Sequence, residues 1–259
     1  MTPLLEVTRI TKRFGGLRAL DAVDLTVQPG QVKGLIGPNG AGKTTLFNII
    51  TGFLPAEEGE VSLAGDQVMG LPSHALARRG MARTFQKVKL FRGMTVLEHA
   101  MVGCHHRTRA GIVAVVLKPR WARDEERRIR AQGLEMLRLV GLEASRDELA
   151  VNLSFGQQRL LEIARALAMR PRLLLMDEPA AGLNTYETEA LARLIRTFVE
   201  REITVVLVEH NMALVMAVSD EVAVLDFGRK IADGRPEQVR SDPAVVQAYL
   251  GGDMAADRT

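Results

Sequence analysis

Gly37-Pro38-Asn39-Gly40-Ala41-Gly42-Lys43-Thr44-Thr45 follows the apolar run 32–36 and fits the pattern G-x-x-x-x-G-K-[ST] at every specified position. The glycines let a turn bring successive backbone N–H groups onto phosphate oxygens. Lys43 is placed to reach the β and γ oxygens, and Thr44 to offer its hydroxyl to a metal. A helix from Thr44 to residue 51 would point its positive end at the same anion. The stretch predicts a phosphate-loop α/β core that takes ATP or GTP with Mg2+. By itself it does not choose between kinase, GTPase, helicase and transporter.

Composition narrows the field. With 259 residues, 47% of them hydrophobic, the chain is long enough to bury a substantial core as one large domain or two lobes. Thirty-four basic against 31 acidic residues leave a formal charge of +3, too small an excess for a field that holds nucleic acid. Cys104 is the single cysteine, so no internal disulfide forms, and a reducing compartment fits. Residues 1–6 lack the basic and then apolar run of a secretion signal. No segment approaches about 18 uninterrupted apolar residues. The chain is therefore expected to be soluble, with any membrane role exercised through a partner.

Around the loop, apolar alternation predicts strands at 4–10, 23–27, 32–36 and 61–63, a β-rich N-terminal lobe. A short helix at 73–79 and a strand at 81–85 follow, and Thr95-Val96-Leu97-Glu98 reads as a capping box. The pattern then turns helical. Residues 122–140 form a charged helix closed by Gly141, and Leu160, Ile163, Ala164 and Leu167 make an apolar stripe after Ser154. Alternating structure resumes with strands at 173–176, 203–208 and 222–225 and a helix at 185–201. The expected fold is an α/β phosphate-loop NTPase core with an N-terminal antiparallel β lobe and a helical insertion. The chain reads as one domain, 1–259. Residues 1–87 and 165–233 form lobe and core, 88–164 the helical subdomain, and 234–259 a tail that frays after Gly251.

Leu173-Leu174-Leu175-Met176-Asp177-Glu178-Pro179 is a buried-strand pattern ending in adjacent carboxylates, as magnesium-dependent hydrolysis requires beside a phosphate loop. Neighbouring side chains on a strand point apart, so the two carboxylates serve different tasks. Asp177 is assigned to the magnesium shell, mainly through water, and Glu178 to orienting or deprotonating the attacking water. Cys104-His105-His106 is set aside as a metal site, because no second ligand pair follows at useful spacing. The basic residues between 118 and 130 are interrupted by Asp124, Glu125 and Glu126 and read as a solvated helix face.

Leu153-Ser154-Phe155-Gly156-Gln157-Gln158-Arg159 lies between the loop and the Asp-Glu strand. Here the chain resembles the ATP-binding-cassette family, whose signature reads Leu-Ser-Gly-Gly-Gln. Ser154, Gly156 and Gln157 match, while Phe155 replaces the first glycine. An ordinary Ser-capped helix would also fit these residues. The resemblance continues position by position. Gln86 is similar to the glutamine that touches magnesium and senses the membrane partner. His210 is similar to the histidine that contacts the γ-phosphate and steadies the catalytic water. Phe14 sits where the family stacks an aromatic on adenine, although a core place in the N-terminal strands would suit it too. Gly182, Leu183 and Asn184 fall in the dimer-contact loop, with Asn184 where aspartate is usual; Asn184 with Glu187 also makes a capping box.

A finer resemblance, to the ATPase subunits of branched-chain amino-acid importers, rests on Arg13-Phe14-Gly15-Gly16, Arg83-Thr84-Phe85-Gln86, Leu90-Phe91, 178–184, the stretch 104–130 and Ala248-Tyr249-Leu250-Gly251. Related ATPases for urea, short amides or exported lipids share some of these strings. The resemblance implies ATP and Mg2+ as cofactors and a second ATPase subunit, identical or different. It also implies integral permease subunits, a solute-binding protein acting indirectly, and a place on the cytoplasmic face of the cell inner membrane. The signature would act in trans, over the nucleotide of the second subunit. Residues 87–102, with Leu90 and Phe91, would dock a helix of the permease, core packing being the other reading of that pair. A soluble cassette ATPase working on DNA or ribosomes is the rival reading, but such chains carry a long coiled coil or a second cassette. A phosphate-loop kinase leaves 153–159 and His210 without a purpose.

Overall fold

The computed structural model describes residues 2–86, 89–105 and 120–256. Strands β1 (Leu5–Phe14), β2 (Leu17–Val27), β4 (Glu58–Leu63) and β5 (Asp66–Gln67) make an antiparallel sheet in the order β2-β1-β4-β5. A second sheet contains β3 (Val32–Ile36), β6 (Met81–Arg83), β7 (Leu173–Asp177), β8 (Thr204–Val208), β9 (Glu221–Asp226) and β10 (Arg229–Gly234). Its order is β10-β9-β3-β8-β7-β6, with every neighbouring pair parallel except β10 with β9.

Strands β7 and β8 are buried along their whole length, which is why their sequences run apolar without alternation. The pleat still sorts the side chains. Leu173, Leu175, Val206 and Val208 enter a core shared with the antiparallel sheet, and Leu174, Met176, Val205 and Leu207 enter a second core beneath the helices. Helix α1 (Lys43–Ile50) buries Leu46, Phe47 and Ile50 in the first core. Its N-terminus is thereby held next to the carboxyl ends of the parallel strands, where ligands of open α/β sheets bind.

Among the described residues the remaining α-helices are α2 (Ser73–Arg78), α3 (Val96–Val102), α4 (Arg120–Leu139), α5 (Phe155–Leu167), α6 (Thr185–Glu200), α7 (Met212–Val218), α8 (Pro236–Ser241) and α9 (Pro243–Ala256). α3, α4 and α5 pack on one another through residues such as Leu97, Leu137 and Leu161. Thr95 caps α3 as its sequence predicts. Its Oγ1 accepts from Glu98 N at 3.2 Å, and Glu98 Oε2 accepts from Thr95 N at 2.8 Å.

Several boundaries depart from the sequence reading. β1 continues past residue 10 to Phe14, because Lys12 and Phe14 still pair with Leu20 and Leu17 of β2. β6 stops at Arg83 and not at 85, since the backbone N–H of Phe85 turns away to the Glu162 carboxylate, 2.9 Å off. α5 crosses the expected edge of the helical segment at 164 and ends at Leu167. α9 runs through Gly251 to Ala256, where fraying was expected. Among the described residues no helix is long and apolar enough to cross a membrane.

Candidate functional site

A cavity of about 380 Å³ opens where the chain leaves the carboxyl ends of β3, β7 and β8. Phe14, the loop residues Asn39, Gly40, Ala41, Gly42, Lys43, Thr44 and Thr45, and the predicted pair Glu178 and His210 all line it. The loop owes its path to its glycines. Gly37 has φ 149°, and a Cβ there would meet Leu225 O at 2.1 Å. Gly42, in the left-handed region with φ 103°, precedes α1 without any side-chain cap, so no cap occupies the first N–H groups of the helix. Lys43 is buried beneath the loop, and its Nζ donates to Gly37 O at 2.6 Å and Pro38 O at 3.0 Å. Burial pulls the Lys43 ammonium below its usual pKa, while Glu178 and Asp177 act against that shift.

Glu178 takes a left-handed backbone, φ 47°, which aims its carboxylate at two groups from distant segments. Gln86 Nε2 donates to Glu178 Oε2 at 2.7 Å, and His210 Nε2 lies 3.1 Å from Glu178 Oε1. Glu209 braces this arrangement from behind. Its buried carboxylate accepts from Ala180 N at 2.6 Å, His210 N at 3.1 Å and Asn211 N at 3.3 Å. The turn after β7 is thus tied to the turn after β8. Burial raises the Glu209 carboxyl above its ordinary value, and the three N–H donors oppose the rise.

Asp177 is buried, with Oδ2 accepting from Arg83 Nη2 at 2.7 Å. The same guanidinium donates through Nη1 to Asn48 Oδ1 at 2.7 Å and Thr51 Oγ1 at 2.9 Å. The rings of Phe47, Phe53 and Phe85 surround it, with centroids 5.3–5.8 Å away. The donor set suits a magnesium ion. The Thr44 hydroxyl, the Gln86 amide oxygen and the Asp177 carboxylate are hard oxygens, and Oδ1 of Asp177 and Oε1 of Gln86 are not the atoms committed to Arg83 and Glu178.

Ser154, Phe155, Gly156 and Gln157 do not line this cavity. They open α5, where Ser154 Oγ accepts from Gln157 N at 3.3 Å and Gln157 Oε1 accepts from Ser154 N at 3.0 Å. Asn184 caps α6 in the same way with Glu187, at 2.9 and 3.0 Å. The two openings touch. A Cβ on Gly182 would fall 2.7 Å from the Phe155 ring, and one on Gly156 would fall 2.6 Å from Glu187 Oε1. Phe155, half-exposed, also stacks on the Arg159 guanidinium at 5.2 Å. Leu183 is partly buried against the helical core, whereas Gly182 and Asn184 are exposed.

Sequence reasoning passed over Arg83, Glu209, Arg159 and Glu162 as functional groups. The last two hold the backbone of Phe85, next to Gln86, with Arg159 Nη1 donating to Phe85 O at 2.9 Å and Glu162 accepting from its N–H. Their signal was a buried charge on an apolar helix face. Phe14 is half-exposed at the cavity, which removes the core reading. Leu90 packs partly buried against the helical core. Phe91 is exposed beside a separate cavity of about 370 Å³, lined also by Phe85, Val102, Ala166 and Met169. Residues 87–88 and most of 104–119, including His106, lie outside the described residues, and so does part of the basic stretch. Among the described residues no group of His, Cys, Asp and Glu could hold a metal through three or more such ligands.

The chain matches two family models, ABC transporter over residues 20–181 and branched-chain amino acid ATP-binding cassette transporter over 229–255. It is 46% identical to the high-affinity branched-chain amino acid transport ATP-binding protein BraF of Pseudomonas aeruginosa, covering 96% of this chain and 98% of that one. To LivG of Escherichia coli K12, which carries the same description, identity is 43% at the same coverage. Among solved structures, the ADP conformation of an ATP-binding cassette of an ABC transporter superposes with a TM-score of 0.84 at 34% identity, covering 97% of this chain and all of that one. A nucleotide-free cassette superposes with a TM-score of 0.83, also at 34% identity, covering 96% of this chain and 99% of that one. With a family model over most of its length and such relatives end to end, the chain belongs to the ATP-binding, ATP-hydrolysing cassettes of ABC transporters, in the group of branched-chain amino acid transport ATP-binding proteins.

Proposed function

We propose that this chain binds ATP with Mg2+ in the cavity above the phosphate loop and hydrolyses it as one of two cassettes. These close over two nucleotides and drive a branched-chain amino-acid importer from the cytoplasmic face of the cell inner membrane. One observation carries the chemistry: the Glu178 carboxylate, held between Gln86 and His210, faces the same cavity as Lys43 and the open end of α1. The phosphates rest on the N–H groups of Gly40 to Thr45, and Lys43 offsets the charge of the β and γ oxygens. Glu178 orients a water for in-line attack on the γ-phosphorus and takes its proton, while His210 holds the carboxylate in place. Thr44, Asp177 and Gln86 would hold the magnesium ion, which neutralises charge developing on the phosphate oxygens.

The signature and the Gly182–Leu183–Asn184 loop form a surface away from this cavity, as a role over a second subunit's nucleotide demands. A solved cassette at 26% identity and TM-score 0.76, covering 90% of this chain and 98% of that one, is described as a dimer bound to ADP and phosphate. The names of BraF and LivG support branched-chain amino acids over urea, short amides or exported lipids. The apolar cavity at Phe91 is the docking place for a permease helix, with the solute-binding protein reached only through the permease.

Glu178→Gln tests the assignment. ATP binding should survive while hydrolysis falls by about 10² to 10⁴, the span for losing a positioned base, and ATP-bound dimers should accumulate on a sizing column. An equal loss of affinity and turnover would contradict the role.

A further inference from the structure

The turn between β9 and β10, Asp226-Phe227-Gly228-Arg229, holds a residue that serves neither the turn nor the core. Phe227 has φ 41° and Gly228 φ 78°, two successive left-handed residues, a combination that favours Asn-Gly or Gly-Gly. A bulky aromatic there strains the backbone, and 87% of Phe227 is exposed. Strain at an exposed side chain points to a task outside the fold. The ring stands at the mouth of the cavity that Phe14, Leu17 and the phosphate loop line.

The turn is fastened to both of the other walls. Gly228 N donates to Ala41 O of the phosphate loop at 3.1 Å, and Gly228 O accepts from Asp21 N of β2 at 2.8 Å. Asp21 also accepts from Arg229 Nε at 2.8 Å and from Arg18 Nη1 at 2.6 Å. A Cβ on Gly228 would meet Ala19 O at 2.6 Å, so the approach of the turn to β2 is close. In the lining of the same cavity, Phe14 already has the Lys12 ammonium 5.4 Å from its ring centroid, with Lys12 held by Glu57 at 2.6 Å. The base cleft therefore has one aromatic wall backed by a cation, and a second aromatic carried on a rigid turn.

We propose that Phe227 is the second wall of the nucleobase cleft, a ring that packs on the base and ribose while Phe14 stacks from the β1–β2 hairpin. This rests on the reading of the cavity as the nucleotide site. A π face recognises the flat base without reading its edge, so Phe227 contributes affinity for the base half of the nucleotide and none for its phosphates. The strained turn is retained for that contact.

Calorimetric titration of the full chain with Mg-ADP and with Mg-pyrophosphate, which has no base, separates the two halves. Phe227→Asn relieves the turn while removing the ring, so its melting temperature without nucleotide should equal or exceed that of the wild type. ADP affinity should drop about 5- to 150-fold, the range for losing one stacked ring, and pyrophosphate affinity should stay unchanged. Phe227→Tyr should bind ADP as the wild type does. Unchanged ADP affinity in Phe227→Asn would overturn the proposal, and so would a parallel fall for ADP and pyrophosphate. A wild-type chain that fails to bind ADP at all would overturn the reading of the cavity itself.

Discussion

The cavity and the signature surface use their polar groups in opposite ways. Around Glu178 the bonds join residues far apart in sequence, Gln86 to Glu178 over 92 residues and Arg83 to Asp177 over 94. On the signature surface Ser154 and Asn184 bond three residues along their own chain, and both are exposed. Folding alone finishes the first region. The second is left as two capped helix openings, touching through Phe155 and Gly182, with their outer faces open to solvent. The physical contrast is between a site organised in cis and a surface to which the proposed function gives a ligand only from a second subunit.

Arg83→Met should break the cavity side hardest. It strips a buried carboxylate of its cation, a change that costs about 3 to 5 kcal/mol, read by chemical denaturation. It also frees Asp177 to turn. The Mg2+ concentration for half-maximal ATPase should rise by about 10- to 100-fold, the usual cost of losing a group that orients a metal ligand. If the fold weakens but the Mg2+ dependence does not move, Arg83 is only structural.

Asn184→Ala should mark the other region with a smaller effect. Losing the cap removes about 1 kcal/mol from α6, while ADP affinity of the isolated chain stays as it was. A drop in affinity without a partner would erase the distinction between the two regions. Asn184→Asp keeps a side-chain acceptor at the cap and should melt like the wild type.

What the sequence disclosed follows the same divide. The phosphate loop, the strand ending at Asp177 and the caps at Thr95 and Asn184 are local patterns, readable because their chemistry is complete within a few residues. β3 and β7 were legible as short apolar runs bounded by turn residues. β10 was not, because only Ile231 and Ala232 of Arg229–Gly234 are apolar and no residue of the strand is fully buried, and α7 is too short for a periodic stripe. The charges that brace the site were hidden for another reason. The bonds of Arg83, Arg159, Glu162 and Glu209 that brace the site reach partners that only tertiary folding brings near, apart from the adjacent N–H groups on Glu209; the pairing of Glu162 with Arg159 and Arg165 is local to α5. Phe227 carried no signal in the sequence, and only its backbone angles and its place at the cavity single it out.

The proposal of a composite site is tested most directly by mixing two disabled chains in the reconstituted transporter. Lys43→Ala lacks a working phosphate loop and keeps its signature; Ser154→Arg blocks the signature and keeps its loop. A mixed dimer then holds one intact site, the loop of one subunit under the signature of the other. ATPase activity of the mixture should exceed the sum of the two variants measured alone and peak near equal proportions. Activity that never exceeds that sum, at any ratio, would mean that each cassette hydrolyses ATP by itself and that Ser154 has no part in the site.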